Sequence, residues 1–193
     1  KRCFIPAGNS QMKQGQKIAD IAENTDKLKR IKLLALDVDG VLTNGGIIYS
    51  NGDQETKVFN VKDGLGIRLL MASGVKVCVI TGRRSKALYH RCSDLGITDV
   101  YDDVSDKAEA INLILEQTGF SAAEIAFVGD DLPDLSIMKR VGLPIAVADA
   151  HRAVVESADM VTSVKGGMGA VREVCETILK AQGVWEKAIE HFL

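Results

Sequence analysis

At 193 residues the chain is long enough for one domain with a sizeable core. Its residues are 46% hydrophobic and 26% charged, ordinary values for a globular protein, and a formal net charge of −2 gives no electrostatic case for nucleic acid or an anionic membrane surface. No apolar run approaches the roughly 20 residues that cross a bilayer, Lys1 and Arg2 precede no secretory apolar stretch, and Cys3, Cys78, Cys92 and Cys175 form no C-x-x-C pair, so a reduced, cytoplasmic protein is expected.

Residues 1–14 are polar, with Pro6, Gly8 and Asn9, and read as a flexible tail. Ile18, Ile21, Ala22 and Leu28 give a weak helical spacing. A buried strand follows over Lys32–Leu36 and stops abruptly at Asp37-Val38-Asp39-Gly40. Two carboxylates closing an apolar strand suggest chemistry, because burying charge is costly unless it is paired or metal-bound. Next, Gly46–Ser50 and Asp53–Val61 flank Asn51-Gly52, the sequence of a type I′ hairpin. Polar Gln54, Glu55, Thr56 and Lys57 predict that this hairpin projects from the sheet, with edges that other subunits could cover.

Alternation then sets in. The sequence predicts helix Gly66–Ala72, strand Val75–Ile80, helix Ser85–Leu95, a short strand Asp99–Tyr101 and helix Lys107–Thr118 capped by Gly119. Strand Ile125–Val128, helix Leu132–Val141, strand Ile145–Val147, helix His151–Ser157, edge strand Asp159–Thr162 and helix Ala170–Ala181 complete the series. Nearly continuous apolar strands alternating with helices mean a parallel sheet covered on both faces: one doubly wound α/β domain over residues 15–182, with a C-terminal tail at 183–193.

Ligands of open α/β sheets bind beyond the carboxyl ends of the strands. Those ends carry Asp37 and Asp39, then Thr81-Gly82-Arg83, then Lys107, then Gly129-Asp130-Asp131 with Asp134 beyond. Carboxylates, a hydroxyl, a glycine amide and a lysine make a magnesium and phosphate site. Asp37 and Asp130, with the Asp39 carbonyl, suit a hard cation that prefers oxygen. Thr81, Gly82 and Lys107 suit a phosphoryl group. Asp37 could attack phosphorus in line, and Asp39 could move protons to and from the departing and attacking oxygens. Asp134 would orient Lys107 or a metal-bound water, whereas Asp131 reads equally as a metal-water partner and as a solvated loop acid. His90, His151 and His191 lack metal-ligand spacing and read as surface or capping residues. Asn60 could simply stabilise a turn, and Arg83 and Arg91 could lie on solvated faces.

Asp37-Val38-Asp39-Gly40-Val41-Leu42-Thr43 resembles the nucleophile motif of the haloacid dehalogenase superfamily of phosphatases, and Thr81, Lys107 and Gly129–Asp134 match its later motifs in order. The similarity continues through Phe59–Gly64, Ile80–Arg83, Arg91-Cys92, Val147–Ala150 and Gly169–Glu173. It implies a Rossmann-like domain without a cap, Mg²⁺, a sugar-acid phosphate substrate with Asn60, Arg83 and Arg91 near it, and a homotetramer whose hairpins help enclose neighbouring sites. Met168 departs from the arginine that many relatives carry in the Gly-Gly-x-Gly loop. The catalytic motifs read only phosphate and metal, so they leave the length of the sugar open. A phosphoacceptor signalling module uses similar groups, but its acid pair precedes a separate acceptor aspartate, whereas Asp37 and Asp39 flank one residue.

Overall fold

The computed structural model describes residues 24–51 and 55–193; the expected tail at residues 1–14 and the start of the first helix lie outside them. Helix α1 is seen over residues 24–30, with Leu28 buried. Six parallel strands form the main sheet: β1 Leu33–Leu36, β4 Lys76–Ile80, β5 Asp99–Tyr101, β6 Ile125–Gly129, β7 Leu143–Ala146 and β8 Met160–Val161, in the order β5-β4-β1-β6-β7-β8. Strands β2 Ile48–Tyr49 and β3 Glu55–Thr56 form a separate antiparallel pair.

Both faces of the sheet are covered, as continuous apolar strands require. Leu34 and Leu36 of β1 face one core with α2 (Val61–Ala72), α3 (Lys86–Leu95) and α7 (Ala170–Ala181). Leu33 and Ala35 face a second core with α4 (Lys107–Thr118), α5 (Leu135–Met138) and α6 (Arg152–Ser157). After β1 the chain moves outward to β4 and β5, and after β6 it moves the opposite way to β7 and β8. The crevice between β1 and β6 is therefore the switch point of the sheet, and the acids that follow these two strands stand on either side of it.

Four expectations change. Helix α2 begins at Val61 rather than Gly66, because the Asn60 side chain caps it by accepting from Lys62 N at 2.8 Å. Its glycines serve close packing: a Cβ on Gly64 would meet Arg91 Nη2 at 2.2 Å, and one on Gly66 would meet Arg172 Cδ at 2.9 Å. The predicted helix 132–141 is a 3-10 turn, Leu132–Asp134, followed by the four-residue α5, since Asp131 caps the turn and Pro133 sits within it. In the hairpin Tyr49 pairs with Glu55 and Ile48 with Thr56, whereas a two-residue Asn51-Gly52 turn would pair Tyr49 with Gln54; the tip, residues 52–54, lies outside the described residues. Residues 183–193 carry helix α8 (Trp185–Ile189) and a 3-10 turn, with Trp185, Ala188 and Ile189 packed against the first core. The Arg172 guanidinium and the Lys180 ammonium lie over the Trp185 ring, 5.9 and 5.0 Å from its centroid.

Candidate active site

Asp37 extends β1 by one residue, its N–H donating to Val128 O at 3.1 Å. The chain then turns sharply, with Leu42 N and Thr43 N both donating to Val38 O. Gly40 takes φ +100 in this turn, and a Cβ there would meet the Asp130 carboxylate at 2.0 Å, so only glycine lets the two loops approach.

Lys107 is the first residue of α4, whose N-terminus Asp106 caps by accepting from Ala108 N at 2.8 Å. That cap aims the lysine inward, where its ammonium lies 2.6 Å from Asp37 Oδ1 and 2.5 Å from Asp134 Oδ1. Asp134 is buried, and its second oxygen accepts from Asp130 N at 2.8 Å and Asp131 N at 3.3 Å. Both Asp134 oxygens are thus committed, one to Lys107 and one to the loop after β6. Thr81 closes β4, with its N–H on Tyr101 O and its hydroxyl accepting from Arg83 N at 3.3 Å. A cavity of about 460 Å³ is lined by Asp37, Asp39, Thr81, Gly82, Arg83, Lys107, Asp130, Asp131 and Asp134.

Burial pushes the Asp37 carboxyl up to about 6, against the opposing pull of Lys107, and the Asp134 charge adds to the rise. Asp130 is pushed up to about 7 by burial and then by the charges of Asp37, Asp134 and Asp131. Burial alone would lower the Lys107 ammonium, but Asp37 and Asp134 overcome it and leave the group above its ordinary value. Oxygens of Asp37, Asp130 and Asp134 lie within 4.8 Å of one another. Crowded carboxylates that hold protons against their usual preference fit a divalent cation, which would relieve the repulsion. With Asp134 already satisfied, Asp37 and Asp130 are the side chains available to such an ion.

The hairpin reaches this site too. The Lys57 ammonium contacts the Asp39 carboxylate and lies 2.8 Å from Glu55 Oε1. Arg83 Nη2 donates to Glu55 Oε2 and to the Tyr49 hydroxyl, both at 3.2 Å. Sequence reasoning missed Lys57: it sits in a polar run that reads as a solvated face, yet its side chain is 2% exposed. Asp131 is exposed and caps the following turn through Leu132 N, which favours the loop-acid alternative. His151 caps α6 by accepting from Ala153 N.

Asn60 and Arg91 do not line the cavity. Asn60 Nδ2 donates to Gly167 O, and Arg91 Nη2 donates to Asn60 O, each at 3.2 Å, so the pair fastens the start of α2 to α3 and to the Gly166–Gly169 loop.

Residues 91–173 match the haloacid dehalogenase-like hydrolase family. The 3-deoxy-D-manno-octulosonate 8-phosphate phosphatase KdsC of Escherichia coli K12 is 48% identical over 162 residues, covering 84% of this chain and 86% of the relative. The chain belongs to the 3-deoxy-D-manno-octulosonate 8-phosphate phosphatase family. It is accordingly a phosphatase built on the haloacid dehalogenase fold. A family member from Moraxella catarrhalis, solved with magnesium, phosphate and 3-deoxy-D-manno-octulosonate (KDO), superposes with a TM-score of 0.88 at 41% identity, covering 90% of this chain and 99% of that one. The cobalt-bound family member from Haemophilus influenzae gives a TM-score of 0.81 at 41% identity, covering 83% and 94%.

Proposed function

We propose that this phosphatase hydrolyses KDO 8-phosphate to KDO and inorganic phosphate with Mg²⁺ as cofactor, in the supply of a lipopolysaccharide precursor. The observation that carries the reading is the buried Asp37 carboxylate at the sheet's switch point, held by Lys107 beside Asp130, in a chain so similar along its length to named KDO 8-phosphate phosphatases.

Thr81 Oγ1, the Gly82 N–H and the Lys107 ammonium would hold the phosphoryl oxygens. Mg²⁺, held by Asp37, Asp130 and the Asp39 carbonyl, would neutralise phosphoryl charge. Lys107 fixes Asp37 by Oδ1, and Asp37 attacks phosphorus as the P–O bond to the sugar breaks, forming an aspartyl-phosphate. Asp39 donates the proton that the departing sugar oxygen needs. It then takes one from the water that cleaves the aspartyl-phosphate, which frees phosphate and restores Asp37. Asp134 keeps Lys107 and the Asp130 loop in place. Arg83, at the rim of the cavity, is the substrate-binding candidate that the geometry supports.

A homotetramer is part of the proposal. Ile47, Ile48, Tyr49, Val58 and Val61 of the hairpin region are all exposed, and subunit contact would cover them. Without a cap domain, neighbouring hairpins would supply walls around the sugar. Phosphate release from KDO 8-phosphate and from the nine-carbon 2-keto-3-deoxynononic acid 9-phosphate tests the reading. The eight-carbon substrate should give the higher kcat/KM with Mg²⁺, and EDTA should abolish turnover on both. Preference for the nine-carbon acid would reassign the substrate.

A further inference from the structure

Four charges of alternating sign close into a ring beside the cavity. Lys57 contacts Asp39 and Glu55, and Arg83 contacts the same two carboxylates, Glu55 Oε2 at 3.2 Å and Asp39 Oδ2 at 3.8 Å. The two cations are not equivalent: the Lys57 side chain is 2% exposed and that of Arg83 40%. An ammonium so deprived of water persists only where carboxylates compensate it. Glu55 supplies part of that compensation, and its carboxyl is held below the usual range chiefly by its hydrogen bond with Lys57.

The two Asp39 oxygens have different surroundings. Lys57 takes Oδ1, while Oδ2 is buried and has no hydrogen-bond partner. We infer that Lys57 is a positioning residue for the acid–base step: it fixes the orientation of the Asp39 carboxylate at the cavity wall by holding Oδ1, while Glu55 anchors Lys57. This rests on the proposed role of Asp39 as proton donor. A ring that only fastened the hairpin would have no bearing on which leaving group departs.

The leaving group separates the two roles. A sugar oxygen departs as an alkoxide unless it is protonated, whereas p-nitrophenolate departs readily without a proton. Single-turnover release of the leaving group reads the first half-reaction alone, before the hydrolytic water is used. With Mg²⁺ present, Lys57→Met should slow release of KDO from KDO 8-phosphate by about 10- to 100-fold, part of the roughly 10²–10⁴-fold that general acid catalysis contributes, and change release of p-nitrophenolate far less. Equal slowing of both, or of neither, would overturn the inference. Asp39→Asn is the control: it should show the same discrimination, and its failure to do so removes Asp39 as the donor. If Asp39→Asn discriminates and Lys57→Met does not, the inference alone falls. Should Lys57→Met not fold, Lys57→Met combined with Glu55→Gln, which removes the stranded carboxylate, is read by the same criterion.

Discussion

Asp37 and Lys107 answer differently to substitution because they carry the electrostatic cost of the site differently. Asp37 is a buried carboxyl raised to about 6, so its charge is a burden on the folded protein. Asp37→Asn should therefore abolish turnover without lowering the melting temperature in metal-free buffer at pH 8. Lys107→Met strands Asp37 and Asp134 together and should cost about 3–5 kcal/mol in urea unfolding. The same raised groups predict a pH trend. Asp37 at about 6 and Asp130 at about 7 hold protons in the folded state that an unfolded aspartate near 3.8 has released. Their contribution to stability is present below pH 4 and is lost as pH rises through 6 to 7. A divalent ion takes the place of those protons, so the rise in melting temperature that Mg²⁺ gives over EDTA should be larger at pH 8 than at pH 5. The residues of this site were legible because each ends a buried strand or opens a helix, where polar groups interrupt an apolar pattern. Lys57 was not, since Asp39 lies 18 residues before it and a lone lysine in a polar run carries no periodic signal.

Among elements, those with a strong apolar pattern and a glycine stop were legible: α3 and α4 end at Gly96 and Gly119, both left-handed caps. The start of α2 was hidden by Gly64 and Gly66, whose small size serves packing against Arg91 and Arg172 and contradicts helix propensity. The cap of α7 was hidden for a different reason, because it comes from another helix. Gly169 precedes α7 without a side-chain cap, and Asp63 of α2 accepts from Arg172 N at 2.8 Å instead. Asp63→Ala should destabilise the protein by about 1–2 kcal/mol, the size of a lost helix cap, measured by urea unfolding. No loss would remove this coupling between the two helices. The hairpin register was hidden by the turn rule itself: Asn51-Gly52 favours a two-residue loop, but the strands place five residues between Tyr49 and Glu55.

For the whole molecule, the doubly wound order places Asp37 and Asp130 on either side of the switch point, and that much followed from strand–helix alternation. The proposed assembly came from the family resemblance instead, because an exposed apolar side chain looks the same in sequence whether solvent or a neighbour meets it. Ile48 is 51% exposed on the hairpin. Ile48→Glu should reduce the mass seen by light scattering toward that of a monomer while leaving the subunit folded; an unchanged oligomer would move the interface elsewhere. In the proposed reaction Asp37 carries the phosphoryl group between two half-reactions. Acid quench of wild type and Asp39→Asn after mixing with KDO 8-phosphate and Mg²⁺, followed by intact-mass and peptide measurement, tests it most directly. One added phosphoryl group is expected on the peptide containing Asp37, absent from Asp37→Asn. Turnover with no phosphorylated peptide, together with retained activity in Asp37→Asn, would contradict it.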